Sequence, residues 1–443
     1  MKIMKNIINT ARQLPLRGLV GGLLVALLSS CSAEYLNPSA ASETQVTNDV
    51  NGLITLANGL QYRYSVGRQA PVYTTIVGSG VSTRELRVLN AGNLDEENLR
   101  LGGAVVDGVN GIVRQLWSQS NLIKGNADLI LNKLSIVADP GVRSGLQAYA
   151  SIYKALAIGT MATYFEQVTV ENTAKPKFVP RVEALNQAIV LLEAALATVT
   201  TTPPSTGFTS RVVAGIDIPN TINALIARYA LMAGDNAKAL AAANRVVLTV
   251  RSEIRFDDVT RNPIWDVALG NVNVVQPVDL GLGLPVALRP VATDRRLDFY
   301  FLSRTATAGV FRGRGFFKSN GDAVPMYLPG EIILIKAEAQ ARQNNLAAAV
   351  TELNGVLTKT TDAWGIGAGL PAYAGENTQA AILAEIYRQR RIELFMSGLG
   401  FEDARRFSRP VSTAADSERN RNFYPYPAVE RDNNPNTPAD PAL

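Results

Sequence analysis

The stretch Gln343–Leu357, QNNLAAAVTELNGVL, aligns without gaps to Ala233–Val247, AGDNAKALAAANRVV. Identities fall at Ala237 and Ala347, Ala239 and Ala349, Asn244 and Asn354, and Val246 and Val356. Each copy reads as the turn and second helix of an αα-hairpin, with Ala227 and Ala337 at equivalent places on the first helix. Alanines there let two antiparallel helices approach closely, and Gly234 or Asn344 can close the first helix in a left-handed turn. Apolar residues at three- and four-residue spacing also run through 116–134, 143–167, 181–199 and 222–250, so the sequence predicts a mainly α fold.

The alternation of small and large residues resembles the tetratricopeptide pattern, but the two copies lie 110 residues apart, far beyond that repeat. Other material is therefore inserted between them. Residues 201–220 are rich in Thr, Pro and Gly, and 255–327 is expected to be an irregular, loop-rich insertion with short strands, broken by Pro263, Pro277, Pro285, Pro290 and Pro325. Trp265, Phe299, Tyr300, Phe301, Phe311, Phe316 and Phe317 fall inside it. A helical scaffold carrying long aromatic loops is expected to recognise its ligand with those loops.

The N-terminus predicts export. Lys2, Lys5, Arg12 and Arg17 precede an apolar run, Gly18–Ser30, that ends at Cys31, the single cysteine of 443 residues. Thirteen residues make a helix too short to cross a hydrocarbon core of about 30 Å. Leu28-Ser29-Ser30-Cys31 resembles the lipobox of bacterial lipoproteins, which implies acylation of Cys31. The expected organisation is a signal peptide over 1–30, a lipidated flexible tether over 31–46 and one domain over 47–443, with hairpins near 143–199, 220–252, 328–358 and 379–407.

Without the four leader cations, 39 Lys and Arg face 38 Asp and Glu, so the sequence predicts no basic face for nucleic acid. Histidine is absent from the chain, which excludes imidazole-based zinc sites and Ser-His-Asp or Cys-His catalysis. No metal or other cofactor is expected.

Three C-terminal blocks carry a family resemblance. They are Tyr327–Leu357, with Ala337-Glu338-Ala339; Ile382–Phe407, with Arg390-Arg391-Ile392-Glu393-Leu394 and Asp403-Ala404-Arg405-Arg406; and Asn422–Asn436, with Tyr424-Pro425-Tyr426-Pro427 and Asn434-Pro435-Asn436. In order and spacing they resemble the SusD/RagB family of outer-membrane lipoproteins. The chain departs from that pattern at Ser397–Glu402, between two of the motifs, and at Leu328-Pro329-Gly330, where the family commonly has an arginine. The resemblance implies a SusD-like, tetratricopeptide-like scaffold with long irregular loops. It also implies a non-catalytic cell-surface protein that binds a glycan or peptide, is anchored by lipid to the outer membrane, and acts as the lid of a TonB-dependent, SusC-like β-barrel importer.

Glu338, Arg390, Arg391, Glu393, Asp403, Arg405 and Arg406 are expected to be structural. Arg390 with Glu393 and Glu402 with Arg406 have the spacing of helix-surface ion pairs, at a few tenths of a kcal/mol each, and so many Arg and carboxylates close in sequence are compatible with a partly buried network. Trp265, Trp364 and Tyr373 are the candidate ligand-binding residues, because aromatic rings stack on the C–H faces of sugars; Trp117, inside a helical pattern, is expected in the core. Two further readings compete: a helical-repeat lipoprotein adaptor in envelope assembly, and an extracytoplasmic α-helical glycosidase, for which no acid/base carboxylate pair stands out.

Overall fold

The computed structural model describes residues 46–414 and 417–442, so the predicted leader and Cys31 lie outside the described residues. In chain order the helices are α1 (Val50–Ser65), α2 (Pro71–Ser82), α3 (Leu94–Leu101), α4 (Gly111–Leu131), α5 (Pro140–Tyr164), α6 (Arg181–Thr201), α7 (Thr206–Thr209), α8 (Ile218–Ala233), α9 (Asn236–Ala243), α10 (Arg296–Tyr300), α11 (Pro329–Arg342), α12 (Leu346–Leu357), α13 (Gln379–Glu393), α14 (Gly400–Arg406) and α15 (Ala428–Asn433). The fold is mainly α, as the periodicity predicts.

Local chemistry sets the helix starts. The side chains of Asp49, Asn110, Asp139, Asp217, Asp235 and Thr378 each accept a hydrogen bond from a backbone N–H in the first turn that follows. The two aligned hairpins also close in the same way. Gly234 has φ +87° and Asn344 φ +61°, and the next residue's N–H reaches back in each: Asp235 to the Ala230 carbonyl and Asn345 to the Gln340 carbonyl, both at 2.9 Å. The helical pattern over 222–250 is thus broken at Gly234, with α9 ending at Ala243. Ala227, Ala239, Ala337 and Ala349 are all buried.

Packing follows the chain. α4 lies on α5, α5 on α6, α6 on α8, α8 on α9, α9 on α11, and α11 on both α12 and α13. The contact of α9 with α11 shows that the two aligned hairpins stack directly on each other, while the chain between them leaves the stack and returns. That excursion is closed at its base by an antiparallel pairing, Glu253 with Pro325 and Ile254 with Val324. It is stitched to the N-terminal part by a second, Leu86 with Pro277 through Val88 with Val275. A third two-stranded ladder joins Gln167–Thr169 to Phe178–Pro180. α6 has the length and apolarity of a membrane span, yet Ala184, Leu185, Ala188, Ile189, Leu192, Ala195 and Val199 form a buried stripe at helical spacing. That stripe is the face through which it packs on α5 and α8.

α11 opens on Pro329, which is preorganised for a first helical turn. Gly330 follows, and a Cβ there would lie 1.9 Å from Glu393 Oε1. Glycine lets the buried Glu393 carboxylate press against the start of α11. Gly330→Ala is therefore expected to destabilise the protein by about 1–3 kcal/mol, read as a lower urea midpoint at unchanged m value; an unchanged midpoint would show that the carboxylate has room to move.

Candidate functional site

The motif residues form two buried networks. In the first, Glu338 of α11 is fully buried and accepts from the Arg406 guanidinium at 2.8 and 2.9 Å and from Arg342 at 2.9 Å. Arg406 also reaches Asp403 at 2.8 Å, and Arg390 lies 3.0 Å from Asp403. Arg405 pairs with Glu402, which Arg181 holds from α6 at 2.7 Å. Arg391 lies 3.4 Å from Glu85 and donates to Tyr387. The surface pairs expected from spacing are corrected: Arg390 turns to Asp403 rather than Glu393, and Glu402 meets Arg406 only at 4.0 Å. Both helices are buried on these faces, so α14 decides the partners.

Burial alone would raise the Glu338 pKa, but Arg406, with Arg390 and Arg342, brings it down to about 2. The void beside this network is about 10 Å³, too small for a ligand.

Glu393 centres the second network. Its carboxylate accepts from Arg296 at 3.1 Å and from Lys359 at 2.5 Å. Burial works against its charge, yet Lys359 and Arg296 together hold its pKa below the usual carboxylate range. Arg296, also fully buried, is locked by Asp294 at 2.9 and 2.7 Å and by Gln389 at 2.6 Å. Lys359 donates onward to Asp362 at 2.7 Å. Asp362 in turn accepts from the backbone N–H groups of Trp364 and Ile366 at 2.9 and 3.0 Å, which shapes that turn. The Tyr300 hydroxyl donates to the Glu393 carbonyl.

These contacts place three chain segments around one open cleft of about 340 Å³. Segment 295–299 supplies Arg295, Asp298 and Phe299; segment 314–318 supplies Arg314 and Lys318; segment 360–367 supplies Thr360, Gly365 and Gly367. Backbone bonds set the segments side by side: Arg314 N–H to the Tyr300 carbonyl at 2.8 Å, Gly315 N–H to Phe299 at 3.0 Å, and Arg295 N–H to Ala368 at 3.1 Å. Phe299 is half-buried, edge-on to Tyr300 and Phe316 at 5.1 and 5.2 Å.

The three candidate aromatics do not line this cleft, and no contact joins them into one surface. Trp364 is half-buried, with the Arg251 guanidinium 4.0 Å above its ring and Phe316 edge-on at 5.4 Å. Trp265 stands in a short π-helical turn, Ile264–Leu269, with its indole close against Gly270. Tyr373 lies over the α11–α12 hairpin, its backbone N–H bonded to Asn354 at 2.7 Å and its hydroxyl donating to the Glu376 carbonyl at 3.0 Å. Trp117 is in the core, stacked on Phe178 at 5.5 Å, with its indole N–H donated to Glu430 at 2.9 Å. The cleft residues Arg295, Arg314 and Lys318 were signalled in the sequence by two basic-aromatic runs, DRRLDFYF (294–301) and FRGRGFFK (311–318).

Residues 318–440 match the model of the SusD family. No curated protein matches the chain in sequence. Among solved structures, similarity extends over almost the whole chain. A SusD superfamily protein from Bacteroides thetaiotaomicron aligns with TM-score 0.67 at 14% identity, over 89% of this chain and 100% of its own. A SusD-like carbohydrate binding protein from Bacteroides fragilis aligns with TM-score 0.65 at 16% identity, over 88% and 99%. A laminarin-binding SusD-like protein aligns with TM-score 0.65 at 15% identity, over 89% and 99%. The fold is SusD-like, and its C-terminal block carries the SusD family pattern.

Glu338→Gln leaves Arg406 facing a neutral partner in a buried site, and a loss of about 3–5 kcal/mol is expected by urea unfolding. The sign with pH follows from a folded pKa of about 2 against an ordinary value of 4.5. The wild-type carboxylate stabilises the fold above pH 4.5 and loses that contribution as pH falls towards 2, an effect on the order of 3 kcal/mol. The variant is expected to show a correspondingly flatter acid limb in stability against pH.

Proposed function

We propose that this SusD-like chain is a non-catalytic, cell-surface carbohydrate-binding lipoprotein that serves a TonB-dependent importer of the outer membrane. The observation that carries this reading is the SusD-like fold along almost the full chain, shared with proteins described as binding carbohydrate. The open cleft adds to it: a half-buried ring, Phe299, stands among polar and charged side chains, the mix of one apolar face and several hydrogen-bonding groups that a sugar requires. The carboxylates of the two networks support a binding role rather than catalysis, because Glu338 and Glu393 are fully buried and engaged by cations.

The membrane part of the proposal rests on the leader. Acylation at Cys31 would hold the mature chain to the membrane without a spanning helix, since each buried CH₂ of a lipid chain is worth about 0.8 kcal/mol. The importer would be a SusC-like β-barrel, with this chain capturing a glycan over its mouth; a peptide ligand or an adaptor role in envelope assembly is the competing outcome.

Two measurements test it. Cys31→Ser is expected to move the protein from the membrane to the soluble fraction; retention in the membrane would refute the anchor. Purification of the native protein from outer membranes in mild detergent is expected to bring a large β-barrel in stoichiometric amount by mass spectrometry. Recovery with assembly factors instead would replace the importer reading with the adaptor one.

A further inference from the structure

We propose that the cleft between segments 295–299, 314–318 and 360–367 selects an anionic carbohydrate, one carrying carboxylate or sulfate groups; this rests on the carbohydrate-binding reading above. The clefts differ in how their cations are used. A cleft of about 650 Å³ carries Arg84, Arg87, Arg100 and Arg289. Each is committed to the fold. Arg84 donates to the carbonyls of Arg100, Thr413 and Ala414, Arg87 to that of Gly309 and Arg289 to that of Leu284, while Arg100 grips Glu97 with two hydrogen bonds. In a cleft of about 300 Å³ beside α13, Arg342, Arg406 and Arg409 are likewise held by Glu338, Asp403 and Glu418.

The 340 Å³ cleft differs. Among the described residues, the side chains of Arg295, Arg314 and Lys318 make no hydrogen bond or ion pair, and all three are exposed to the cleft or its rim. The one carboxylate on the wall, Asp298, is already satisfied by Arg304 at 2.6 and 2.8 Å. Asp322, next in sequence to this wall, is turned to the backbone N–H groups of Lys318 and Ser319 at 2.5 and 3.1 Å. Three cations without a direct ion pair therefore line one cleft with a single carboxylate, Asp298, whose charge is held by Arg304 and felt by Arg295, in a chain whose cations and anions nearly balance once the leader is set aside. Arginine forks match carboxylate and sulfate oxygens two at a time, and such charge-assisted bonds are about twice as strong as neutral ones.

The remaining lining favours a sugar over an acidic peptide. Phe299 is the single apolar side chain in a wall otherwise built from charged residues, Thr360 and glycines. A peptide would need apolar pockets for its anchors, whereas a pyranose needs one flat patch and many polar groups. The volume lies at the small end of ligand pockets, about 300–1,000 Å³, and suits one or two charged sugar units of a longer chain.

The test is calorimetric titration of the full-length protein and its Arg295→Gln, Arg314→Gln, Lys318→Gln and Arg314→Lys variants with polygalacturonate, chondroitin sulfate, neutral laminarin and poly-glutamate. The melting temperature of each variant is recorded alongside to confirm folding. At least one of the two acidic polysaccharides is expected to bind; binding of neither would overturn the anionic selectivity. Each Gln variant is expected to weaken that binding about tenfold and Arg314→Lys less, and binding should fall steeply towards 0.3 M salt, roughly where screening reaches several Å. Laminarin binding that is equal or better and indifferent to all four substitutions would overturn the anionic selectivity while leaving the carbohydrate reading intact. Poly-glutamate binding through the same residues, with no polysaccharide bound, would overturn both. Unchanged affinity for acidic polysaccharides in all the folded variants would overturn the assignment of the cleft.

Discussion

One buried carboxylate, that of Glu393, joins the parts of this protein that have least reason to stay together. It sits at the C-terminus of α13 with no exposure to solvent, held by Arg296 from the long excursion and by Lys359 from the α12–α13 connection. A carboxylate taken out of water is tolerable only when its partners are in place, so removing either cation leaves a charge whose desolvation is uncompensated. The same requirement reaches back into α11, where Gly330 leaves the space that Glu393 occupies. The stack and the two loops that form the cleft are thereby coupled through one residue.

The scaffold beneath this hub is built from small residues. Ala227, Ala239, Ala337 and Ala349 are buried inside the two aligned hairpins, Ala227 and Ala239 in the main core and Ala337 and Ala349 in a second cluster with α13, and α9 lies directly on α11. The intervening chain is free to leave because its two ends pair at Glu253–Ile254 and Val324–Pro325. A loop closed at its base loses less entropy on ordering its interior than one open across the molecule. Buried charges then fix where its distal part docks. Rigid helices and one closed excursion are sufficient to hold Arg295, Phe299 and Arg314 in fixed relation to Thr360.

Hairpins and their closures were legible in the sequence, because a helix end at Gly234 or Asn344 is determined locally. α2 was not. Its sequence, PVYTTIVGSGVS, is rich in β-branched residues and glycine and has little amphipathic contrast; it is helical because nearly every side chain in it is buried by its neighbours. The C-terminal motifs marked the important charges but not their partners. Arg390 and Glu393 are three apart and yet diverge, since Arg390 faces α14 while Glu393 faces Lys359 and Arg296, and sequence spacing carries no information about which helix approaches which face. The open cleft was the least legible part: the sequence drew attention to tryptophans, of which Trp364 contacts Arg251 and Phe316 beside the cleft, while the cleft itself is lined by arginines from two basic-aromatic runs.

The most direct test of this account is hydrogen–deuterium exchange on Glu393→Gln beside the wild type. If Glu393 is the hub, exchange rises in segments 294–301 and 359–368 together, while α5 and α6 keep their protection. Unchanged exchange in those two segments, or an even rise across every helix, would contradict it and return the positioning of the cleft to the packing of the loops themselves.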